Sequence, residues 1–464
     1  MSYETAVARI YTLGHELADT ASRKFDLAHM RVLLDALHHP EVRFPAVLIA
    51  GTNGKGSTAA TLASILRASG SRTGLYTSPH LVRINERIRI DGAAIGDEDF
   101  ARLHDLVERT AERLVEQGKL PWHPSFFEML TAIAFECFAQ NQVDIAVLEV
   151  GMGGRLDATN VVEPRISVIT DISLDHQIFL GNTVTEIARE KAGIIRRNGV
   201  VVALPQQPQA NDVIGNTILE LDALAVNAVP YVPPVSPASA SYLVSAAEKH
   251  LSGDDTEKSS VNPCGLVSRY PLQVMGEQIL VETPLVGRHQ LRNVALAIAA
   301  AVELGKQGFP VTPKAIERGI RETHWPGRFQ VLPATSSTPE YVFDVAHNPA
   351  GAWALRSTLS ACYENRPLVF LFGAMRDKAI GEIAEILFPL AERIIATRAD
   401  NPRSANPEEI RQAAFRTAAE IEDAPDVASA LNRANALAGP RAVVVITGSI
   451  YIVGEAMRAL EVRV

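Results

Sequence analysis

The stretch AVLIAGTNGKGSTAATLASILRA, residues 46–68, decides the fold class. Its first five residues are apolar with no polar alternation, the pattern of a strand covered on both faces. Gly51-Thr52-Asn53-Gly54 break that run, and residues 55–68 read as a helix. Strand, glycine-rich turn and helix in that order make a phosphate cradle. The glycines let the backbone curl until its N–H groups face phosphate oxygens, and the helix N-terminus adds a favourable dipole. In this reading Thr52, Asn53, Gly54, Lys55, Gly56 and Ser57 form a nucleotide-phosphate loop, with Lys55 reaching the β- and γ-phosphates and a hydroxyl holding Mg2+. The spacing departs from the strict G-x-x-x-x-G-K-[ST] pattern, since Ile49 stands five before Gly54 and Gly56 separates Lys55 from Ser57. A structural glycine turn with an exposed lysine is the plainer alternative; the strand–turn–helix context favours the phosphate site.

Outward from this stretch, apolar segments at 72–76, 143–149, 166–170 and 199–203 alternate with helical ones such as 128–140, as in a doubly wound α/β sheet. Residues 205–263 change character, with Pro205, Pro208, Pro230, Pro233, Pro234, Pro237, Pro263 and the polar run GDDTEKSS at 253–260. They read as a peripheral insert. PLQVMGEQILVETPLVG (271–287) reads as a hairpin, 289–305 and 313–322 as helices, and Trp325-Pro326-Gly327 as a boundary. A second strand–helix series follows at 341–345, 368–372, 393–397 and 442–447. The expected architecture is a P-loop, doubly wound, mostly parallel α/β domain over 1–326, then a smaller Rossmann-like α/β domain over 327–464.

Composition sets the outer limits. With 464 residues, 47% hydrophobic, 21% charged and a net charge of −9, the chain can bury a sizeable core and carries no global basic field to attract nucleic acid. Cys137, Cys264 and Cys362 are too far apart in sequence for a disulfide framework or a zinc cluster. Glu4, Arg9 and Glu16 interrupt the N-terminus, and no apolar run approaches the ~20 residues that span a bilayer. A cytoplasmic monomer with no nucleic-acid or membrane partner is expected.

Open α/β sheets bind ligands outside the carboxyl ends of their strands. Polar groups recur there: the 52–55 loop, Ser78, Glu149, Asp175-His176, then Asp344, His347, Asn348 and Ser449. A carboxylate ending an apolar strand, as Glu149 does, is costly unless paired or metal-bound, so it is either an ion ligand or a capping or salt-bridged residue. Gly151-Met152-Gly153-Gly154 is no dinucleotide fingerprint, because Leu156 stands where the third glycine belongs. His176 alone reads as a hydrogen-bonded loop residue, since Mg2+ prefers oxygen ligands. Lys191 alone reads as a helix-surface lysine paired with a neighbour such as Glu190.

Together these residues resemble the folylpolyglutamate synthase/dihydrofolate synthase family of the Mur ligase superfamily. The matching segments are GTNGKGS (51–57), TSPHLVRINERIR (77–89), SFFE (125–128), LEVGMGGRLDATN (148–160), SLDH (173–176), EKAGI (190–194), GRHQLRNVALA (287–297), WPGR (325–328), FDVAHNP (343–349), GAMRDK (373–378) and TGS (447–449). The resemblance implies ATP-dependent amide formation between a dihydropteroate or folate carboxylate and L-glutamate through an acyl phosphate. It implies two Mg2+ sites: Ser57 lies near one, Ser78 and Glu149 are its ligands, and His176 belongs to the second. Lys191 matches a lysine that the family carbamylates. Asn293, Arg328 and Asp344 match nucleotide contacts, and His347 and Ser449 would lie near the incoming glutamate. Phe126, Phe127, Glu128, Leu156, Asp157 and Ala158 match segments lining a pterin site. The insert has no counterpart, and Ala379 replaces an acid common in the family, so Asp377 and Lys378 are left out. A muramyl-peptide-type ligase shares the loop, but SPHLVRINERIR and GRLDATN oppose it. A non-catalytic ATP switch would not need Glu149, His176 and Lys191 together.

Overall fold

Ala46–Ala50 (β1) has no exposed residue, so it needs a neighbouring strand on each edge and helices over both faces. The computed structural model, which describes residues 1–14, 27–234, 243–245, 266–439 and 441–464, supplies them. With β2 (Thr73–Tyr76), β3 (Ile88–Ile90), β4 (Ala93–Ala94), β5 (Ile145–Glu149), β6 (Pro164–Ile169), β7 (Val200–Ala203) and β8 (Leu224–Asn227), β1 forms an eight-stranded sheet of order β4-β3-β2-β5-β1-β6-β7-β8. The pairs from β2 to β8 are parallel, and β3 and β4 join antiparallel at one edge. Because β1 lies between β5 and β6, the strand order reverses there, and such a switch point opens a crevice at the carboxyl ends.

The helix Lys55–Ala68 runs from this crevice with residues Gly56 to Leu66 all buried. Its small residues permit close approach: a Cβ on Gly319, in the helix Pro313–Arg321, would lie 2.4 Å from the Ile65 Cα.

Residues 205–232 correct the sequence reading, since they belong to the main sheet rather than to a peripheral insert. Pro208 opens the helix Pro208–Glu220 at its first turn, where a missing N–H costs nothing. β8 then pairs parallel to β7. Its side chains are mostly exposed, as on an edge, which is why no apolar run marked it. The GDDTEKSS run lies outside the described residues. β9 (Leu243–Ser245), β10 (Leu266–Val274) and β11 (Glu277–Thr283) form a three-stranded sheet of order β11-β10-β9. Met275 and Gly276, both at positive φ, make the tight turn of the expected hairpin.

The second sheet comprises β12 (Gln330–Leu332), β13 (Glu340–Phe343), β14 (Leu368–Phe372), β15 (Arg393–Ala396), β16 (Ile421–Asp423) and β17 (Val443–Thr447), in the order β12-β13-β17-β14-β15-β16. All its pairs are parallel except β12–β13. The described residues divide into two compact units. One is Met1–Val232 with Leu272–Ile279 and Arg292–Ile320; the other is Arg321–Val464 with Leu280–Leu291 and the described part of Pro233–Pro271. No described helix is long and apolar enough to cross a membrane.

Candidate active site

The loop after β1 is shaped by two glycines that nothing larger could replace. Gly51 has φ +154°, and a Cβ there would lie 1.8 Å from Thr170 Oγ1. Gly54 is left-handed at φ +88°, and its Cβ would lie 2.1 Å from Asn293 Oδ1. The amides of Thr52 and Asn53 both donate to the Asp171 carbonyl, at 2.8 and 3.1 Å. Thr52 Oγ1 donates to the Ser173 carbonyl at 3.0 Å and accepts from the Ser173 amide at 3.1 Å, while Asn53 Nδ2 donates to Ser173 Oγ at 3.1 Å. Thr52 and Asn53 therefore anchor the loop. Lys55, Gly56 and Ser57, the first turn of the helix, carry the amides that a helix cannot satisfy internally.

Beneath the loop two ammonium groups meet one carbonyl. Lys55 Nζ donates to Gly51 O at 3.1 Å and to Thr52 O at 3.2 Å, and Lys191 Nζ donates to the same Gly51 O at 2.8 Å. Lys191 rides the helix Val184–Ala192, which Thr183 and Glu186 start with a capping box. It is buried, and burial, reinforced by the Lys55 charge, brings its pKa down to about 7 against the opposing pull of Asp175 and Asp157. The surface pairing considered for Lys191 falls to another residue: Glu190 is held by Arg155 at 2.9 Å.

Glu149 ends β5 with 5% of its surface exposed, and its Oε2 accepts the Ser78 amide at 3.1 Å, so the sheet brings these two expected ligands together. Ser57 is buried as well. His176 takes a left-handed φ of +50° at the start of the short helix Gln177–Leu180, its amide donating to Asp175 Oδ1 at 2.8 Å. Among the described residues no three His, Cys, Asp or Glu side chains converge as a metal cluster. A cation held here needs a mixed set of carboxylate and hydroxyl oxygens completed by phosphate. That suits Mg2+, which takes one or two carboxylates and substrate phosphates in place of an all-protein cage.

The six residues matched to a pterin site divide by burial. Ser125 and Glu128 form a capping box for the helix Phe126–Gln140, in which Glu128 Oε2 accepts the Ser125 amide at 2.8 Å and its hydroxyl at 2.7 Å. Asp157, buried, accepts the Met152 amide at 3.0 Å, the Thr159 amide at 3.0 Å and the Thr159 hydroxyl at 2.6 Å. Burial raises its pKa, and these donors oppose the rise. Phe126 and Ala158 are buried too, whereas Phe127 and Leu156 remain part-exposed. Phe127 covers Gly151, where a Cβ would sit 2.5 Å from its Cζ. Phe126 stacks on Tyr11 at 5.7 Å, under the Arg87 guanidinium at 5.3 Å. Arg87 Nε donates to His80 Nδ1 at 2.9 Å, and His80 Nε2 lies 3.2 Å from the Tyr11 hydroxyl. His80 and Arg87 stand within SPHLVRINER and were legible as a motif; Tyr11 carried no signal.

In the second unit, Asp344 is buried after β13 and accepts the Phe329 amide at 3.0 Å and the Ala346 amide at 2.9 Å. Burial raises its pKa against those amides and the nearby Arg328 charge. His347 Nδ1 lies 2.9 Å from the Val345 carbonyl, so that nitrogen carries a proton. Ser449 caps the helix Ile450–Ala459, its Oγ accepting the Tyr451 amide at 3.2 Å. The preceding Gly448, at φ +98°, donates to Ala346 O at 3.1 Å, which draws the loops after β13 and β17 together. The Arg328 guanidinium lies 5.8 Å from the Trp325 ring centre. Asp377, left out above, is paired with Arg403 at 2.7 Å.

Two family models match this chain: the Mur ligase middle domain over residues 128–301 and the Mur ligase glutamate ligase domain over 327–450. The folylpolyglutamate synthase of Lacticaseibacillus casei is 34% identical over 463 residues, covering 99% of each chain. The Mycobacterium tuberculosis folylpolyglutamate synthase complexed with ADP superposes with a TM-score of 0.84 at 32% identity, over 100% of this chain and 99% of that one. E. coli FolC in complex with DHPP and ADP gives 0.78 at 28% identity, over 99% and 98%. On sequence, fold and the order of its motifs, the chain belongs to the folylpolyglutamate synthase/dihydrofolate synthase family of Mur ligases.

Proposed function

We propose that this chain is an ATP-dependent acid–amino-acid ligase acting as both dihydrofolate synthase and folylpolyglutamate synthase. It would join the carboxylate of dihydropteroate or of a folate to the amino group of L-glutamate. The observation that carries the reading is the loop after β1, where forced glycines, first-turn amides and two lysines meet at Gly51. That arrangement suits a polyanion whose terminal phosphoryl group is to be transferred.

The acceptor carboxylate oxygen attacks the γ-phosphorus, the bond to the β-bridging oxygen breaks, and ADP departs. The glutamate amine then attacks the carbonyl carbon of the acyl phosphate, losing a proton as inorganic phosphate leaves. Phosphoryl transfer depends mainly on positioning and charge neutralisation. In this scheme the amides of residues 54–57 and Lys55 hold the triphosphate, Thr52 and Asn53 keep the loop in place, and Asn293, Arg328 and Asp344 contact the nucleotide. His347 and Ser449 orient the glutamate, with the part-exposed Phe127, Glu128 and Leu156 against the pterin and the buried Phe126, Asp157 and Ala158 shaping the wall behind.

Ser57, Ser78 and Glu149 would hold one Mg2+, and His176 with Lys191 a second; when bound, the ions neutralise triphosphate charge. A lysine in that position is reconciled by carbamylation. With a pKa near 7 a large fraction of Lys191 is the free amine, which can bond to CO2 carbon with release of a proton. The product is an oxygen-bearing anion beside Lys55 in place of a second cation. In this reading the chain is a cytoplasmic monomer, with the nucleotide domain at 1–326 and the glutamate-ligase domain at 327–464.

The test is glutamate-dependent phosphate release by the purified protein with dihydropteroate, a folate or a UDP-muramyl acceptor. Release with both pterin acceptors and not with the muramyl one is expected. Release with the muramyl acceptor, or ATP turnover indifferent to acceptor, would overturn the reading.

A further inference from the structure

We infer that the ion pair between Asp171 and Arg292 positions the phosphate loop, so that these residues govern nucleotide affinity without touching the nucleotide. The inference rests on the phosphate-loop reading above and adds residues that the motif does not contain. The two backbone amides in the first half of the loop converge on one atom outside it, the Asp171 carbonyl oxygen, while the Thr52 and Asn53 side chains are tied to Ser173. The orientation of that carbonyl therefore sets the backbone of Thr52 and Asn53.

Asp171 follows β6, and its two neighbours are tethered elsewhere. Gln206 Nε2 donates to the Thr170 carbonyl at 3.1 Å, and Gln206 Oε1 accepts the Ile172 amide at 3.0 Å. The Ile172 amide shares its peptide plane with the Asp171 carbonyl, so Gln206 steadies that carbonyl from the backbone while the Asp171 side chain ties the same residue to a second partner. Arg292 holds that carboxylate two-pronged, Nη2 to Oδ1 at 2.7 Å and Nε to Oδ2 at 3.3 Å, and Nη2 also donates to the Pro205 carbonyl at 3.1 Å. A forked guanidinium contact fixes direction as well as distance.

Arg292 is also next to Asn293, whose side-chain oxygen faces Gly54 and whose carbonyl accepts Thr58 Oγ1 at 3.4 Å. One turn of the helix Arg288–Lys306 thus braces the loop at both ends, through Asp171 at Thr52–Asn53 and through Asn293 at Gly54–Thr58. The pair's side chains are 33% and 38% exposed. Ion pairs so exposed add little to folding stability, so its consequence should be local.

The test compares Mg-ADP binding by calorimetry, ATP KM and kcat, and the melting temperature. Its variants are Arg292→Ala, Arg292→Lys, Asp171→Ala, the double alanine variant and the exchanged pair Asp171→Arg with Arg292→Asp. Each single alanine should weaken ADP binding and raise the ATP KM about tenfold, the scale of coupling within one network. Turnover at saturating ATP should stay within about twofold. Arg292→Lys should recover part of the affinity, the exchanged pair should bind better than either alanine variant, and the double alanine should be no worse than one. Wild-type protein that binds ADP beside alanine variants of equal affinity would overturn the inference alone. So would losses that add in the double variant, or a fall in kcat with KM unchanged. Wild-type protein that binds no ADP would overturn the phosphate-loop reading and this inference with it.

Discussion

The carboxyl edge of the first sheet and that of the second bury opposite charges by opposite means. At the first, Lys55 and Lys191 point at the single carbonyl of Gly51, and a buried amine lowers its affinity for protons. At the second, Asp344 is enclosed with two backbone amides and raises its affinity for protons. In each case burial disfavours the charged form, and the available partners only partly restore it. The difference lies in what would complete each site. Lys55 beside open first-turn amides calls for an anion, whereas a carboxylate already holding two N–H groups organises the backbone around it and leaves recognition to its neighbours.

Substitutions of the two lysines at Gly51 should have the largest effect. Lys55→Ala should cut glutamate-dependent phosphate release by roughly 10²–10³-fold, the scale for losing one preorganised charge-stabilising donor. Lys191→Ala should fall as far and should not recover with added bicarbonate, since no amine remains to carry the carboxyl group. Near-normal rates in either would break the comparison at its first term.

A pH experiment sharpens it. The pKa of Lys191 is lowered on folding, so between about 7 and its ordinary value of 10.5 the unfolded chain binds a proton that the folded chain does not. Wild-type stability should therefore rise with pH across that window, while the cost of burying the ammonium is fully present below it. In CO2-depleted buffer, urea unfolding of wild type should gain on Lys191→Met by a few kcal/mol between pH 6 and pH 9. Parallel curves would show that Lys191 is not desolvated.

Gly54→Ala should cost about 1–2 kcal/mol from its left-handed backbone alone. The added methyl group would also displace Asn293, so ADP binding should weaken together with the urea midpoint. The smallest effect belongs to the second edge. Ser449→Ala removes a helix N-cap and should cost about 1 kcal/mol by urea titration; a larger cost would mean that Ser449 has structural duties beyond capping.

Much of this was legible in one dimension because local patterns carry it. The helix at 55–68 and the strand at 368–372 have the bounds that their apolar spacing predicts. Residues 205–232 misled because a row of prolines imitates a linker, although Pro208 at a helix start is harmless and an edge strand needs no apolar face. The carboxylates Glu128 and Asp157, matched to segments lining a pterin site, have oxygens that nearby donors engage in the fold. Spacing locates an acid; it cannot say which donors reach it first.

The amino-acid order by itself determined the doubly wound scaffold, the glycine-rich turn between β1 and its helix, and the family, since each depends on residues adjacent in the chain. Only the tertiary structure decided that Lys191, 140 residues after Gly51, shares a carbonyl with Lys55. It also decided that Asp171 carries the loop on its carbonyl while Arg292, 121 residues further on, grips its carboxylate. Such contacts are set by which strand ends the sheet brings together, and strand order is a property of packing that no local run of residues encodes.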